Sequence, residues 1–117
     1  EVLLADGVGL RDGKSQLADG ETLYQIASCS KAFTATAAAI LATEGRLDLD
    51  APVAEYLPAF RMQDPYASSH LTARDFLSHR SGLPRHEYAW YGTGFTRQEL
   101  MENLRYLPLS APIRYTF

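Results

Sequence analysis

The chain has 117 residues, a formal net charge of −3 and one cysteine. That length suffices for one small domain with a modest core. The charge leaves no electrostatic footprint for nucleic acid, no apolar run approaches the roughly 18 residues that span a bilayer, and Cys29 alone excludes an internal disulfide without fixing a compartment.

Residues 2–4 and 8–10 are short apolar runs on either side of Asp6-Gly7. Arg11-Asp12-Gly13-Lys14 and Asp19-Gly20 are turn signals, and Tyr24 and Ile26 alternate with polar neighbours. The pattern predicts one hairpin, or two or three short antiparallel strands, ahead of a helix.

That helix is the strongest signal in the chain. Residues 31–44 read KAFTATAAAILATE and Gly45 follows. Alanine is the best helix former, and glycine enters the left-handed conformation that ends a helix without strain. Ser28 or Ser30 can cap the start. Residues 32–43 carry no charge, and a helix apolar all round is normally buried on every side. The spacing therefore predicts a central, buried helix of roughly 22 Å, at about 1.5 Å per residue.

The charges at its ends stand against the helix dipole. Lys31 lies in the first turn, where a cation is disfavoured, and Glu44 lies at the other end, with Arg46 available to pair with it. Departures from a local rule collect at functional sites. Burial and the positive helix start would both favour the neutral amine, which is a base. Ser28 precedes Lys31 by one helical turn, so both can share a face. A hydroxyl beside a neutral amine is an activated nucleophile, and the backbone N–H groups of a helix start can receive an oxyanion. Alone, S-x-x-K is weak: at about one residue in twenty for each type, it is expected roughly 0.3 times by chance in such a chain.

Beyond the helix, Asp50 can cap a short helix with Pro52 in its first turn, with Val53, Tyr56 and Leu57 facing the core and Pro58 ending it. Residues 61–70 read as polar loop. Thr72-Ala73-Arg74-Asp75 has the form of a capping box, predicting a helix over residues 73–79 with Phe76 and Leu77 inward. Gly82 and Pro84 stop it. Residues 85–95 are aromatic and glycine-rich, either the wall of a ligand cleft or a cover for the core. Thr96 and Glu99 form a second capping box, opening a helix through Tyr106 with Leu100, Met101 and Leu104 inward. Residues 109–117 read as extended.

Three other constellations carry weaker signals. Asp75, His79 and Ser81 are a nominal Ser-His-Asp set, but residues so local rarely reach triad geometry. His70, His79, His86 and Glu87 lack a recognised zinc spacing, and Gly92-x-Gly94 lacks the strand and third glycine of a nucleotide loop. No metal and no cofactor is expected.

Four segments in order resemble the serine beta-lactamase and penicillin-binding-protein superfamily, in its class C-like and esterase-like branch. They are GVGLRDG, IASCSKAFTATA, GRLDLDAPVAEYLP and LTARDFLSHRSGLP, which together span most of residues 7–84. The resemblance implies that Ser28 is the nucleophile and Lys31 its proton acceptor. It assigns Ser81 to Pro84 a structural role. The family's Tyr-x-Asn and Lys-Thr-Gly elements are missing: Tyr115-Thr116-Phe117 has no asparagine, and no role is carried onto Tyr115. The expectation is thus an α+β fold with N-terminal antiparallel strands, a central buried helix and short helices, an incomplete part of the beta-lactamase/transpeptidase-like fold. Residues 1–117 would be a partial catalytic domain whose C-terminal part is missing. The implied function is a serine hydrolase working through a covalent acyl-enzyme on a small-molecule or peptide acyl substrate, whether beta-lactam, peptide or ester. The alternatives are a catalytically inactive or ligand-binding relative, or a fragment with no activity of its own. Tyr-x-Asn followed by Lys-Thr-Gly beyond Phe117 would favour the enzyme.

Overall fold

A computed structural model describes residues 1–115. The predicted extended run 109–117 therefore lies outside the described residues at its last two positions. The chain divides into two compact units, Glu1–Phe33 and Thr34–Phe117.

In the first unit the predicted turn forms but the strands do not. Leu10 and Leu17 make one isolated antiparallel bridge, flanked by Arg11 N–H to Gln16 O at 2.8 Å and Ala18 N–H to Gly9 O at 2.9 Å. Between them the Asp12 carboxylate accepts from the N–H groups of Lys14, Ser15 and Gln16 at 2.9, 3.0 and 3.1 Å. Those bonds hold its pKa below the ordinary value, Lys14 contributing most. No strand exists among the described residues, so the antiparallel strands of the α+β expectation are corrected. The reason is local: Asp6-Gly7, Gly9, Asp12-Gly13 and Asp19-Gly20 break the segment every few residues, leaving no run long enough to extend a ladder. A lone hairpin is marginal without further strands to join.

α1 covers Ser30–Thr43, the predicted helix to within one residue at each end. It closes in a Schellman motif at Gly45, whose φ is +68°. The Arg46 N–H reaches Leu41 O at 2.9 Å and the Gly45 N–H reaches Ala42 O at 3.1 Å, satisfying carbonyls that the helix end would orphan. Glu44 and Arg46 pair at 3.2 Å, both exposed. The expected burial of this helix is also corrected. None of its residues is buried, and Phe33 is 70% exposed. Apolar stabilisation scales with area removed from water, and alanine offers little of it. The larger side chains that follow form the core instead.

That core belongs to the second unit. Phe60, Met62, Ala67 and Leu71 are buried, with Val53, Phe76, Leu83, Met101 and Ile113 among the side chains packed on them. Phe60 and Phe76 meet edge to face at 6.0 Å. α2 (Val53–Tyr56) starts at Pro52 without a side-chain cap. Asp50, expected to cap it, instead takes Arg74 on both oxygens, at 2.6 and 2.8 Å. Tyr56 and Leu57, expected inward, are exposed. Residues 61–70, read as loop, contain α3 (Pro65–His70). Asp64 caps it by accepting from the Ala67 N–H at 2.7 Å, and Pro65 fills its first turn. α4 (Ala73–Leu77) opens on the predicted capping box, with Thr72 and Asp75 bonded reciprocally. It stops two residues early, where His79 turns left-handed at φ +56°. Phe76 packs inward as expected, while Leu77 is exposed.

Residues 85–95, the aromatic and glycine-rich stretch, contain α5 (Glu87–Trp90), entered through a left-handed His86. Tyr88 is 98% exposed, so it does not cover the core. α6 (Arg97–Asn103) opens on the second predicted capping box and runs into a 3-10 turn, Leu104–Tyr106. The chain then returns to the loop after α4. Ser110 N–H donates to Gly82 O at 2.9 Å, Arg114 N–H to Arg80 O at 2.8 Å, and His86 Nε2 lies 3.1 Å from Pro108 O. Gly82 has φ +78°, and a Cβ there would collide with the Ala111 carbonyl oxygen. The Ser81–Pro84 stretch thus acts as a docking edge for residues 110–114. No helix among the described residues is long and apolar enough to cross a membrane.

Candidate active site

Ser28 and Lys31 come together. Ser28 lies in a 3-10 turn, Ala27–Cys29, that leads directly into α1. The turn is closed by Cys29 N–H donating to Ile26 O at 3.0 Å. Lys31 is the second residue of α1. Its Nζ donates to Ser28 Oγ at 2.8 Å. That separation is within the range for direct proton transfer between a nucleophile and its base. The two side chains sit i and i+3 across the junction of turn and helix, as their spacing predicts.

Their surroundings differ from expectation. Both residues are exposed, not buried with the helix. The helix start remains, and with it the placement of a cation where the dipole disfavours one.

Asp75 and Ser81, two members of the competing Ser-His-Asp set, make other bonds. The buried Asp75 carboxylate is committed elsewhere: it accepts from Thr72 N–H and Oγ1 and from the Arg114 guanidinium, whose Nη2 lies 2.8 Å from Oδ2. Ser81 Oγ accepts from the Leu83 N–H at 3.3 Å, a bond internal to its own loop. Among the described residues no group of three or more His, Cys, Asp or Glu is arranged to hold a metal ion.

One feature of the turn had no signal in the sequence. Ala27, immediately before Ser28, has φ +44°. Alanine is not a residue that announces a left-handed backbone; glycine or asparagine would have done so.

A serine and a lysine joined across a helix start, in a chain of this order of segments, place the protein by family. It belongs to the Beta-lactamase family, whose model matches residues 1–116. Among characterised proteins it is similar to unguisins hydrolase ungD' of Aspergillus campestris, with 30% identity over 120 residues, 95% of this chain and 22% of that protein. Unguisins hydrolase ungD of Aspergillus violaceofuscus is 31% identical over 122 residues, 96% of this chain and 22% of the relative. Protein flp of Staphylococcus aureus is 39% identical over 85 residues, 72% and 17% respectively. The chain therefore spans only about a fifth of the length of these relatives.

Proposed function

We propose that the protein carrying this stretch is a serine hydrolase acting through a covalent acyl-enzyme. The observation that carries the reading is the 2.8 Å contact between Lys31 Nζ and Ser28 Oγ. Family membership and the two relatives named as hydrolases support the reaction class.

Ser28 Oγ attacks the carbonyl carbon of a beta-lactam, peptide or ester, and its proton passes to Lys31 Nζ. The same separation serves the neutral amine as acceptor and the ammonium as donor. The tetrahedral oxyanion is stabilised by backbone N–H groups, that of Ser28 being one, because fixed donors cost no reorganisation as charge develops. Collapse expels the amine or alkoxide, which takes the proton back from Lys31. Water then hydrolyses the ester linkage on Ser28 and regenerates the hydroxyl.

The test is covalent capture. A fluorescent penicillin or a fluorophosphonate is expected to label the full-length protein on Ser28, located by mass spectrometry, and Ser28→Ala should abolish the label. An adduct on Ser30 or Ser81, or undiminished labelling of Ser28→Ala, would overturn the assignment.

A further inference from the structure

We propose that Ala27 is a positioning residue: its left-handed backbone, confined by a Cβ, fixes the turn that sets the Ser28 hydroxyl against Lys31. The inference rests on the reading of Ser28 as nucleophile. Four non-glycine residues among those described have positive φ: Ala27, His79, His86 and Arg114. The other three carry polar side chains that can bond. His86 lies against the Pro108 carbonyl, and Arg114 is held by its ion pair with Asp75. Ala27 has no side chain that could offset the strain by a hydrogen bond. Its conformation is held by the backbone around it, through the Ile26–Cys29 bond at 3.0 Å and the Ser30 N–H, which donates to the Ala27 and Ser28 carbonyls.

Strained backbone persists only where the surrounding structure over-determines it, and it collects at functional sites. The choice of alanine has a definite physical consequence. Glycine fits left-handed φ without penalty, but it also opens the wide mirror-image regions that a Cβ forbids. Once the turn has closed, alanine has one narrow well at this φ and glycine has several. Ser28 is the next residue, so any swing of ψ at position 27 displaces Oγ relative to an amine anchored one turn further on. Small displacements of reacting groups cost rate steeply. Alanine thus accepts local strain and confines the nucleophile.

The experiment compares Ala27→Gly, Ala27→Asn and Ser28→Ala in the full-length protein, with fluorescent penicillin as probe and acylation followed against probe concentration. Glycine adopts the observed φ comfortably, so Ala27→Gly folds. Its maximal acylation rate is expected to fall roughly tenfold, while the probe concentration giving half-maximal rate stays within about twofold. Asparagine tolerates left-handed φ and keeps a Cβ, so Ala27→Asn should stay within about threefold of the unmodified protein. Ala27→Gly acylating at the unmodified rate would overturn the proposal. So would equal losses in both variants, which would make the alanine side chain rather than the confined backbone responsible. Labelling that persists in Ser28→Ala refutes the underlying assignment of the nucleophile, an outcome separate from either, and takes the proposal with it.

Discussion

Replacing Asp75 by asparagine probes the tie between α4 and residues 110–114. Four donors converge on this carboxylate. Thr72 N–H and Oγ1 reach Oδ2 at 3.1 and 2.9 Å, and Arg114 brings Nε to 2.9 Å from Oδ1 and Nη2 to 2.8 Å from Oδ2. Asparagine keeps the shape but turns one acceptor into a donor facing other donors. A hydrogen bond to a charged group contributes about 1.5–3 kcal/mol net. The Asp75 side chain is 6% exposed, but that of Arg114 is 43% exposed, so water competes for the cation. We expect Asp75→Asn to lose about 2–3 kcal/mol at neutral pH, below the full cost of orphaning a deeply buried charge. Burial alone would raise the pKa of this carboxyl. The Arg114 and Thr72 hydrogen bonds outweigh it and hold the group below its ordinary value. As pH falls, the unfolded chain therefore takes up this proton before the native state does. The stabilisation is complete above about pH 4 and is lost as the pH drops through the lower native value. Urea unfolding of the full-length protein across this range should show the deficit of Asp75→Asn largest at neutral pH and shrinking below about pH 4. A deficit unchanged by acidification, or one under about 0.5 kcal/mol, would refute the argument.

Other outcomes follow from the same structure. Lys31→Arg keeps the positive charge but cannot act as a base, so acylation should fall to the level of Ser28→Ala; near-normal labelling would show that Lys31 only pairs. Gly82→Ala should cost more than about 1 kcal/mol in urea unfolding, since it meets both an unfavourable φ and the Ala111 carbonyl. Asp64→Ala removes the cap of α3 and should cost about 1 kcal/mol by the same assay. Residues 1–117 expressed alone leave Val2, Leu4, Leu23 and Phe33 exposed, so they should bind a hydrophobic dye, tend to aggregate and turn over neither a chromogenic beta-lactam nor a simple ester. A soluble monomer with turnover abolished by Ser28→Ala would contradict this.

The legible features were those whose cause is local. Alanine content and Gly45 define α1, and the Thr72/Asp75 and Thr96/Glu99 pairs mark the starts of α4 and α6. The Ser28–Lys31 contact follows from helical spacing alone. Asp64-Pro65 is as clear a start signal as any of these, a cap followed by proline in the first turn. The polar residues around it carry no apolar periodicity to mark the helix that follows. Burial is not legible where it depends on partners distant in sequence. α1 looks like a core helix by composition, yet Phe60, Met62 and Leu71 form the core because they have the area to bury. The strands failed for a local reason, since Asp6-Gly7, Gly9, Asp12-Gly13 and Asp19-Gly20 leave no run long enough to extend a ladder. The strain at Ala27 is invisible because it is imposed by its neighbours' hydrogen bonds.

The return of residues 108–114 to the loop after α4 has a consequence for how this stretch can vary in length. Contacts between His86 and Pro108, Gly82 and Ser110, and Arg80 and Arg114 hold together the two feet of an arch. Between the feet run α5, the exposed tyrosines and α6, of which Met101 and the following Leu104 pack back on the core. Doubling a flexible loop costs only about 0.6 kcal/mol in closure entropy. Residues can therefore be added around Gly92-Thr93-Gly94 without moving either foot, whereas one residue inserted between Arg80 and Gly82 would put the Arg80–Arg114 pairing out of step with the other two. The crown of the arch, around Gly92-Thr93-Gly94, is where this sequence can be lengthened, and its feet are where it cannot.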